Sequence, residues 1–173
     1  FSLLYMDGRA FLALSKKELK QLDIAIKQGL GLMIMVDDEL LSSRDKVLSN
    51  SLLNNLLGDL LGNVLTSNTL QMNIKGEQSS NTIPRWLHSQ GEHAISYKNA
   101  QLPTAHGKVL IKGSEGQALW VNHSYGLGSI AFSLIDSSYK WTISGEKKHY
   151  SQYWQTIIEQ VSRQRQSSGW QNT

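Results

Sequence analysis

Apolar and polar positions follow a regular order in the first part of the chain. Residues 1–6 are an apolar run that ends in a turn signal, and residues 30–36 are a longer, almost unbroken apolar run that ends in acid. Between them, Leu19, Leu22 and Ile26 recur at the spacing of one helix face. We therefore predict strand, helix and strand, with the second strand covered on both faces as in a parallel sheet.

Two local signals mark the ends of the predicted helix. Ser15 is followed three positions later by Glu18, the pattern in which each side chain binds the backbone of the other residue. Gly29 stands where helices commonly end in left-handed backbone. A strand, a helix and a parallel strand make the crossover from which open α/β sheets are built.

Shorter alternating runs fill the second half of the chain. We predict a β-rich insertion at about 66–116, and then two strands of the main sheet at 117–123 and 129–135 joined by a glycine-containing hairpin turn. Apolar residues at helical spacing predict a last helix at 150–165. The end of the chain, 166–173, is expected to be a loose tail.

The length of 173 residues predicts one domain, with its core at about 1–42 and 117–165. The Leu-, Asn- and Gly-rich stretch 41–65 suggests a short helix or two.

Cysteine is absent, which excludes a thiol nucleophile, Cys-ligated zinc and an iron–sulfur cluster.

The number and distribution of charged residues exclude some classes of partner. The net charge of +3 comes without a dense stripe of Lys and Arg, so we expect no nucleic-acid partner. No run approaches the roughly 18 apolar residues of a membrane span, so no span is expected in this stretch. The missing initiator Met suggests a piece of a longer protein. A charged content of only 18% favours an extracytoplasmic location.

A recurrent order of motifs occupies the last third of the chain. Residues 125–133 (YGLGSIAFS) and 136–141 (DSSYKW) precede an aromatic-rich helix at Tyr153. With the early segment 14–32, they resemble the class I glutamine amidotransferase-like domains of bacterial membrane proteins, which often lie beside von Willebrand A-type modules. The similarity covers about the first forty and the last sixty residues.

That resemblance carries expectations of fold and location. It implies a flavodoxin-like three-layer α/β/α sheet, here with the β-rich insertion in the middle of the chain. It also implies a place on the periplasmic face of a bacterial membrane, tethered through segments outside this stretch, and usually no demonstrated enzymatic activity.

The chain departs from true amidotransferases at the reacting groups. Those enzymes place a Cys at a strand-to-helix elbow and a His and a Glu after a later strand, because the thiolate needs a base and an orienting group. The corresponding positions here read VDDE at 36–39 and LIDS at 134–137, with neither Cys nor His. We expect glutamine hydrolysis to be absent, and we assign no catalytic residue.

Carboxylates stand at the ends of three predicted strands: Asp7, the pair Asp37 and Asp38, and Asp136. The ligand crevice of an open α/β sheet lies beyond the carboxyl ends of its strands, so these groups could converge there. They could bind a cationic ligand, or Mg²⁺ or Ca²⁺ through Asp7, Asp38 and Asp136. Alternatively, each Asp caps the helix or turn that follows it. No other cofactor is expected.

Two aromatic residues close to Asp136, Tyr139 and Trp141, complete the candidate ligand-binding set. They could offer an exposed aromatic surface, or they could pack inside the protein.

Two functional hypotheses follow. The first is a non-catalytic extracytoplasmic interaction or ligand-binding domain of a membrane-anchored bacterial protein, whose partner is another domain of that protein or a separate protein. The alternative is a metal-dependent hydrolase that uses the carboxylates at the edge of the sheet. A glycan-binding module on the insertion would require Trp86 or Trp120 at the surface.

Overall fold

The computed structural model is an α/β structure with one five-stranded sheet and one two-stranded sheet among the residues it describes. The described residues are 3–43, 54, 69–74, 93–98, 100, 102, 104, 107–112, 116–136, 138–143, 145 and 147–162. In chain order, the elements are β1 (Leu3–Asp7), α1 (Gly8–Leu12), α2 (Lys16–Lys27), β2 (Gly31–Met35), α3 (Asp38–Ser42), β3 (Thr69–Ile74), β4 (His93–Lys98), β5 (Gly107–Lys112), β6 (Ala118–Tyr125), β7 (Gly128–Ser133), α4 (Tyr139–Ile143) and α5 (Lys147–Ser162).

The larger sheet has the strand order β1-β2-β7-β6-β5. β1, β2 and β7 run parallel, and β6 and β5 continue the sheet in antiparallel pairs. Every residue of β7 is buried, as are the first four residues of β2, because helices cover both faces. The predicted α/β class and the doubly covered second strand are confirmed.

Hydrogen bonds to the two longest described helices define the layers. On one face, the Ser129 hydroxyl donates to the backbone carbonyl of Val161 in α5 at 3.0 Å. Ser129 pairs with Ser124, so the next residue of β6, Tyr125, points to the opposite face. There its hydroxyl donates to Asp23 of α2 at 2.6 Å. The sheet is therefore the middle of three layers.

The predicted local signals act as expected. Ser15 and Glu18 form the reciprocal capping box of α2, and these hydrogen bonds from Ser15 hold the pKa of Glu18 below its usual value. Gly29 has a φ of 114° just beyond that helix. In the hairpin turn between β6 and β7, the positive φ of 63° belongs to Gly126. Each of these features is set by residues only a few positions apart.

One strand of the predicted insertion belongs to the main sheet. β3 and β4 form the separate two-stranded sheet, whereas β5 pairs with β6 in the main sheet. β4 joins the main sheet at its end: the amide of Lys98 donates to the carbonyl of Leu134 at 2.9 Å, and Tyr97 forms a bridge with Ile135. The insertion is thereby anchored just after β7.

Several predictions fall on residues outside the described ranges: the helices beyond α3 in 41–65, the end of the last helix after 162, the tail 166–173, and Trp86. Trp120 is fully buried in the main sheet, so it offers no surface to a glycan. Among the described residues, no helix combines the length and apolar character that crossing a membrane requires.

Candidate functional site

The parallel strands bring the predicted acids to one edge of the sheet. Asp7 pairs with Met35, and Met35 pairs with Ser133, so the three strands end in register. Asp37 and Asp136 follow β2 and β7 by two and three residues. The strand ends that precede these acids therefore lie along one edge of the sheet, and the contacts of each carboxylate differ.

Asp7 and Asp37 are helix caps. Asp7 accepts a hydrogen bond from the amide of Ala10 at 2.7 Å and so begins α1, where the sequence suggested only a turn. Asp37 accepts from the amide of Leu40 at 2.8 Å and begins α3. Its second oxygen accepts from the amide of Arg9 at 2.9 Å, which ties α3 to α1. Both oxygens of Asp37 are therefore engaged by backbone.

The close approach of α1 to α3 depends on Gly8. A Cβ atom at this position would overlap the carboxylate of Asp37 and the side chain of Leu40. The Asp37 carboxylate is thus enclosed by two helix starts and is poorly placed to receive a ligand.

Asp38 and Asp136 share a cation that the sequence analysis did not anticipate. The Nζ of Lys98 lies 2.7 Å from Oδ2 of Asp38 and 3.7 Å from Oδ2 of Asp136. Only 9% of the Lys98 side chain is exposed, whereas Asp38 is largely exposed and Asp136 is about one-quarter exposed. Burial alone would lower the pKa of Lys98, but its hydrogen bond and charge interactions with the two carboxylates outweigh burial and raise it. Lys98 is therefore a protonated counter-ion.

The two oxygens of Asp136 differ in environment. Oδ2 faces Lys98, whereas Oδ1 is buried and has no hydrogen-bond partner among the described residues. A buried acceptor left without a donor costs about 1–3 kcal/mol. This oxygen is the acceptor at the edge with the most to gain from a donor supplied by a ligand.

The two aromatic residues of the predicted set lie in different surroundings. Tyr139, the first residue of α4, is exposed. Trp141 is buried, and its ring meets that of Tyr153 edge-on with centroids 5.3 Å apart. Burial also raises the pKa of Tyr153 far above its usual value. Trp141 therefore packs α4 against α5, which is the second of the two alternatives that the sequence left open for it.

The candidate metal ligands, Asp7, Asp38 and Asp136, do not form a metal-binding group among the described residues. No group of three or more Asp, Glu or His side chains within the described ranges is placed to hold a metal ion. Asp7 is used by α1, and Lys98 already balances the charge of Asp38 and Asp136. The arrangement can present acceptors to a hydrogen-bond donor, but these three acids do not form a cation cage.

Lys98 is the residue that sequence reasoning missed. It ends an alternating strand of the insertion, and such a Lys looks like any solvated charge at the end of a strand. Its partner Asp38 lies 60 positions away in the chain. Two apolar residues that follow β4, Ala100 and Leu102, are buried in the core. Their apolar character was the sequence signal that the chain after β4 packs against the main sheet.

Comparisons with known proteins inform the fold alone. No family model and no curated protein matches the chain. Among solved structures, the cytoplasmic protein STM1381 from Salmonella typhimurium LT2 is similar with a TM-score of 0.56 and 15% identity, over 93% of this chain and 72% of that one. The cytoplasmic protein STM3548 from Salmonella typhimurium is similar with a TM-score of 0.53 and 13% identity, with the same coverage of 93% and 72%.

An exo-beta-1,4-mannosidase, Op5Man5 from Opitutaceae bacterium strain TAV5, is also similar, with a TM-score of 0.45 and 15% identity. The match covers 94% of this chain, which spans only 24% of the mannosidase chain.

Proposed function

We propose that this chain is a non-catalytic binding domain whose working surface is the carboxyl edge of the sheet, centred on Asp38, Lys98 and Asp136. The observation that carries this proposal is that Asp7 and Asp37 are engaged by backbone amides and that Asp38 and Asp136 share the ammonium group of Lys98. These contacts favour a structural and binding role for the four carboxylates over a role as nucleophile or metal ligand.

The strand-to-helix elbow supports a role other than glutamine hydrolysis. An amidotransferase-like reaction needs a nucleophile exposed at this elbow and activated by a base. Here the elbow residue Asp37 uses both oxygens to cap α3 and to hold α1. Because both oxygens of Asp37 accept backbone hydrogen bonds, this carboxylate is poorly placed to act as a nucleophile.

The edge is suited to a ligand that donates hydrogen bonds. The buried Oδ1 of Asp136 lacks a donor among the described residues, Asp38 is exposed beside it, and Tyr139 lies exposed on the helix that follows. Amide and ammonium groups of a protein partner have the required chemistry. We therefore favour another domain of the same protein, or a separate protein, as the partner.

An extracytoplasmic site on a membrane-anchored bacterial protein remains part of this proposal. The low charged content and the resemblance to amidotransferase-like domains of membrane proteins support it. Two similar structures are named cytoplasmic proteins, but identities of 15% and 13% extend to the fold and not to the location.

Site-specific photo-crosslinking in cells tests the binding surface. A photoreactive amino acid replaces Tyr139 at the carboxyl edge, and in a matched variant it replaces Leu127, which is also exposed but lies in the turn at the opposite end of β7. We expect a discrete cross-linked product from position 139 and none from 127. The product should weaken when Asp136→Ala is added. Equal products from both positions, or none from 139, would contradict the proposal.

Thermal unfolding distinguishes the non-catalytic binding domain from the metal-dependent hydrolase. The wild type and Asp136→Ala are unfolded in the presence of Mg²⁺, Ca²⁺, Mn²⁺ or Zn²⁺. A ligand that binds only the folded state raises the unfolding temperature. We expect no metal-specific rise in either protein. A rise with one metal that Asp136→Ala abolishes would favour the hydrolase.

A further inference from the structure

The outer edge of β1 is apolar and, among the described residues, unpaired. Among the described residues, β1 is the last strand on its side of the sheet and pairs only with β2. Its sequence, LLYMD, holds no Lys, no Pro and no bulge, which are the usual devices that keep an edge strand from pairing. Leu4 and Tyr5 are both exposed, and because neighbouring residues of a strand point to opposite faces, each face of the edge carries one of them.

Helix α5 extends this apolar edge on the Tyr5 face. The Tyr5 and Trp154 rings meet edge-on with centroids 5.4 Å apart. Ile158, one turn further along α5, is 44% exposed and lies on the same flank of the helix as Trp154. Tyr5, Trp154 and Ile158 therefore form a strip, called here the β1–α5 strip.

We propose that the β1–α5 strip binds a second copy of this chain. The β1 strands of the two copies pair antiparallel about a two-fold axis perpendicular to the sheet, which joins two five-stranded sheets into one of ten strands. An edge strand presents a row of unpaired backbone groups to which another strand can bond, and a second copy presents the same edge. This proposal concerns a different surface from the carboxyl edge, so neither proposal depends on the other.

The distance between the two α5 helices in the proposed dimer supports a second copy as the partner of the β1–α5 strip. α5 packs across β1, β2 and β7, which centres it near β2. In the paired sheet the two β2 strands would be three strand spacings apart, about 14 Å. Packed helices approach to about 8–10 Å, so the two α5 helices leave a gap the depth of large side chains. Trp154 and Ile158 of both copies are placed to fill it.

The charges of β1 do not oppose this pairing. Asp7 is the one charged residue of β1 and stands at its end, where its carboxylate already caps α1. The central residues of the strand, Leu4, Tyr5 and Met6, bring no like charges together across the two-fold axis.

Sedimentation equilibrium across a range of concentrations tests the dimer. We expect a mass of twice 19.4 kDa for the wild type. Ile158→Glu should weaken dimerisation at least tenfold, because it buries a charge in the interface. The matched control is Ile24→Glu: Ile24 is 45% exposed on a helix, and it lies opposite the buried residues Leu19, Leu22 and Ile26 of α2. This control should dimerise like the wild type.

The absence of native cysteine allows an independent measurement that does not depend on a disruptive charge. Tyr5→Cys should form an intermolecular disulfide rapidly under mild oxidation, because residues near the two-fold axis of an antiparallel pair lie within disulfide reach. Ile24→Cys should cross-link at the slow rate of random collision. A monomeric wild type at all concentrations, or a dimer that Ile158→Glu leaves intact, overturns the proposal. Protection from hydrogen exchange, in a monomer, of those β1 amides that do not donate to β2 would likewise overturn it, since another part of the chain would then cover the edge.

Discussion

At the scale of single residues, the carboxyl edge is organised by the partner that each carboxylate finds. Backbone amides hold Asp7 and Asp37, whereas a largely buried ammonium group holds Asp38 and Asp136. The first arrangement stabilises local helix starts. The second joins the insertion to the main sheet, and its strength depends on how well water is excluded from Lys98.

We predict that Lys98→Met lowers the free energy of unfolding by about 1–2 kcal/mol, because it leaves Asp136 partly buried without its counter-ion. Urea unfolding at neutral pH measures this loss. The matched control is Lys27→Met, which removes a contact of 2.9 Å between Lys27, whose side chain is about half exposed, and Asp23 of the same helix. It should change stability far less, and an equal loss in both variants would contradict a special role for Lys98.

The same pair has a defined pH dependence. Because the pKa of Lys98 is raised above its ordinary value of 10.5, its contribution to stability is complete below pH 10.5 and is lost as the pH rises through the folded-state pKa. The stability difference between wild type and Lys98→Met should therefore stay constant from pH 7 to 9 and shrink only in stronger alkali.

At the scale of elements, the turn between β6 and β7 is fixed to the end of α2. The amide of Leu127 donates to the carbonyl of Lys27 at 3.0 Å, and Tyr125 donates to Asp23 one turn earlier in that helix. This hydrogen bond and the nearby Lys27 hold the pKa of Asp23 below its usual value. The helix thereby positions the amino end of β7, the strand that leads to Asp136.

We predict that Gly128→Ala destabilises the protein by about 3 kcal/mol, because the added Cβ would overlap the carbonyl oxygens of Ile26 and Leu30 and force backbone to move. Gly116→Ala is the control. Gly116 has a φ of 84° but open space around it, so Ala there should cost only about 1 kcal/mol of backbone strain. Urea unfolding of both variants measures the difference, and equal losses would show that packing against α2 contributes little.

At the scale of the whole molecule, the insertion contributes one residue to the candidate site and several to the core. β3 and β4 stand apart from the main sheet, yet the end of β4 is bonded to the chain after β7 and carries Lys98 to the acidic edge. Removing the insertion would therefore remove the cation that organises this edge.

Location is also a property of the whole molecule, and cysteine labelling in intact spheroplasts tests it. We predict that a membrane-impermeant maleimide labels Ile143→Cys, an exposed position on α4, without lysis. Ala131→Cys, fully buried in β7, should be labelled only after denaturation. Labelling of Ile143→Cys only after lysis would contradict the extracytoplasmic proposal.

The location of the candidate site in the fold could be predicted from the sequence. Strand ends in a parallel sheet share an edge, so Asp7, Asp37 and Asp136 could be placed together from sequence. The roles of these three residues could not be predicted, because Asp is equally suited to capping a helix and to binding a ligand. Trp141 illustrates the same limit: its position near Asp136 was predictable, but its burial against Tyr153 depends on how α4 packs on α5.

The sequence by itself determined the α/β class, the alternation of strands and helices, the capping of α2 and the absence of thiol chemistry. These follow from hydrophobic periodicity, from capping residues within a few positions of each other, and from composition. Only the tertiary structure decided the rest: that β5 joins the main sheet, that Lys98 reaches Asp38 across 60 positions, and that Leu4 and Tyr5 on the apolar strand β1 are exposed. Such contacts depend on the path of the whole chain, which local patterns do not specify.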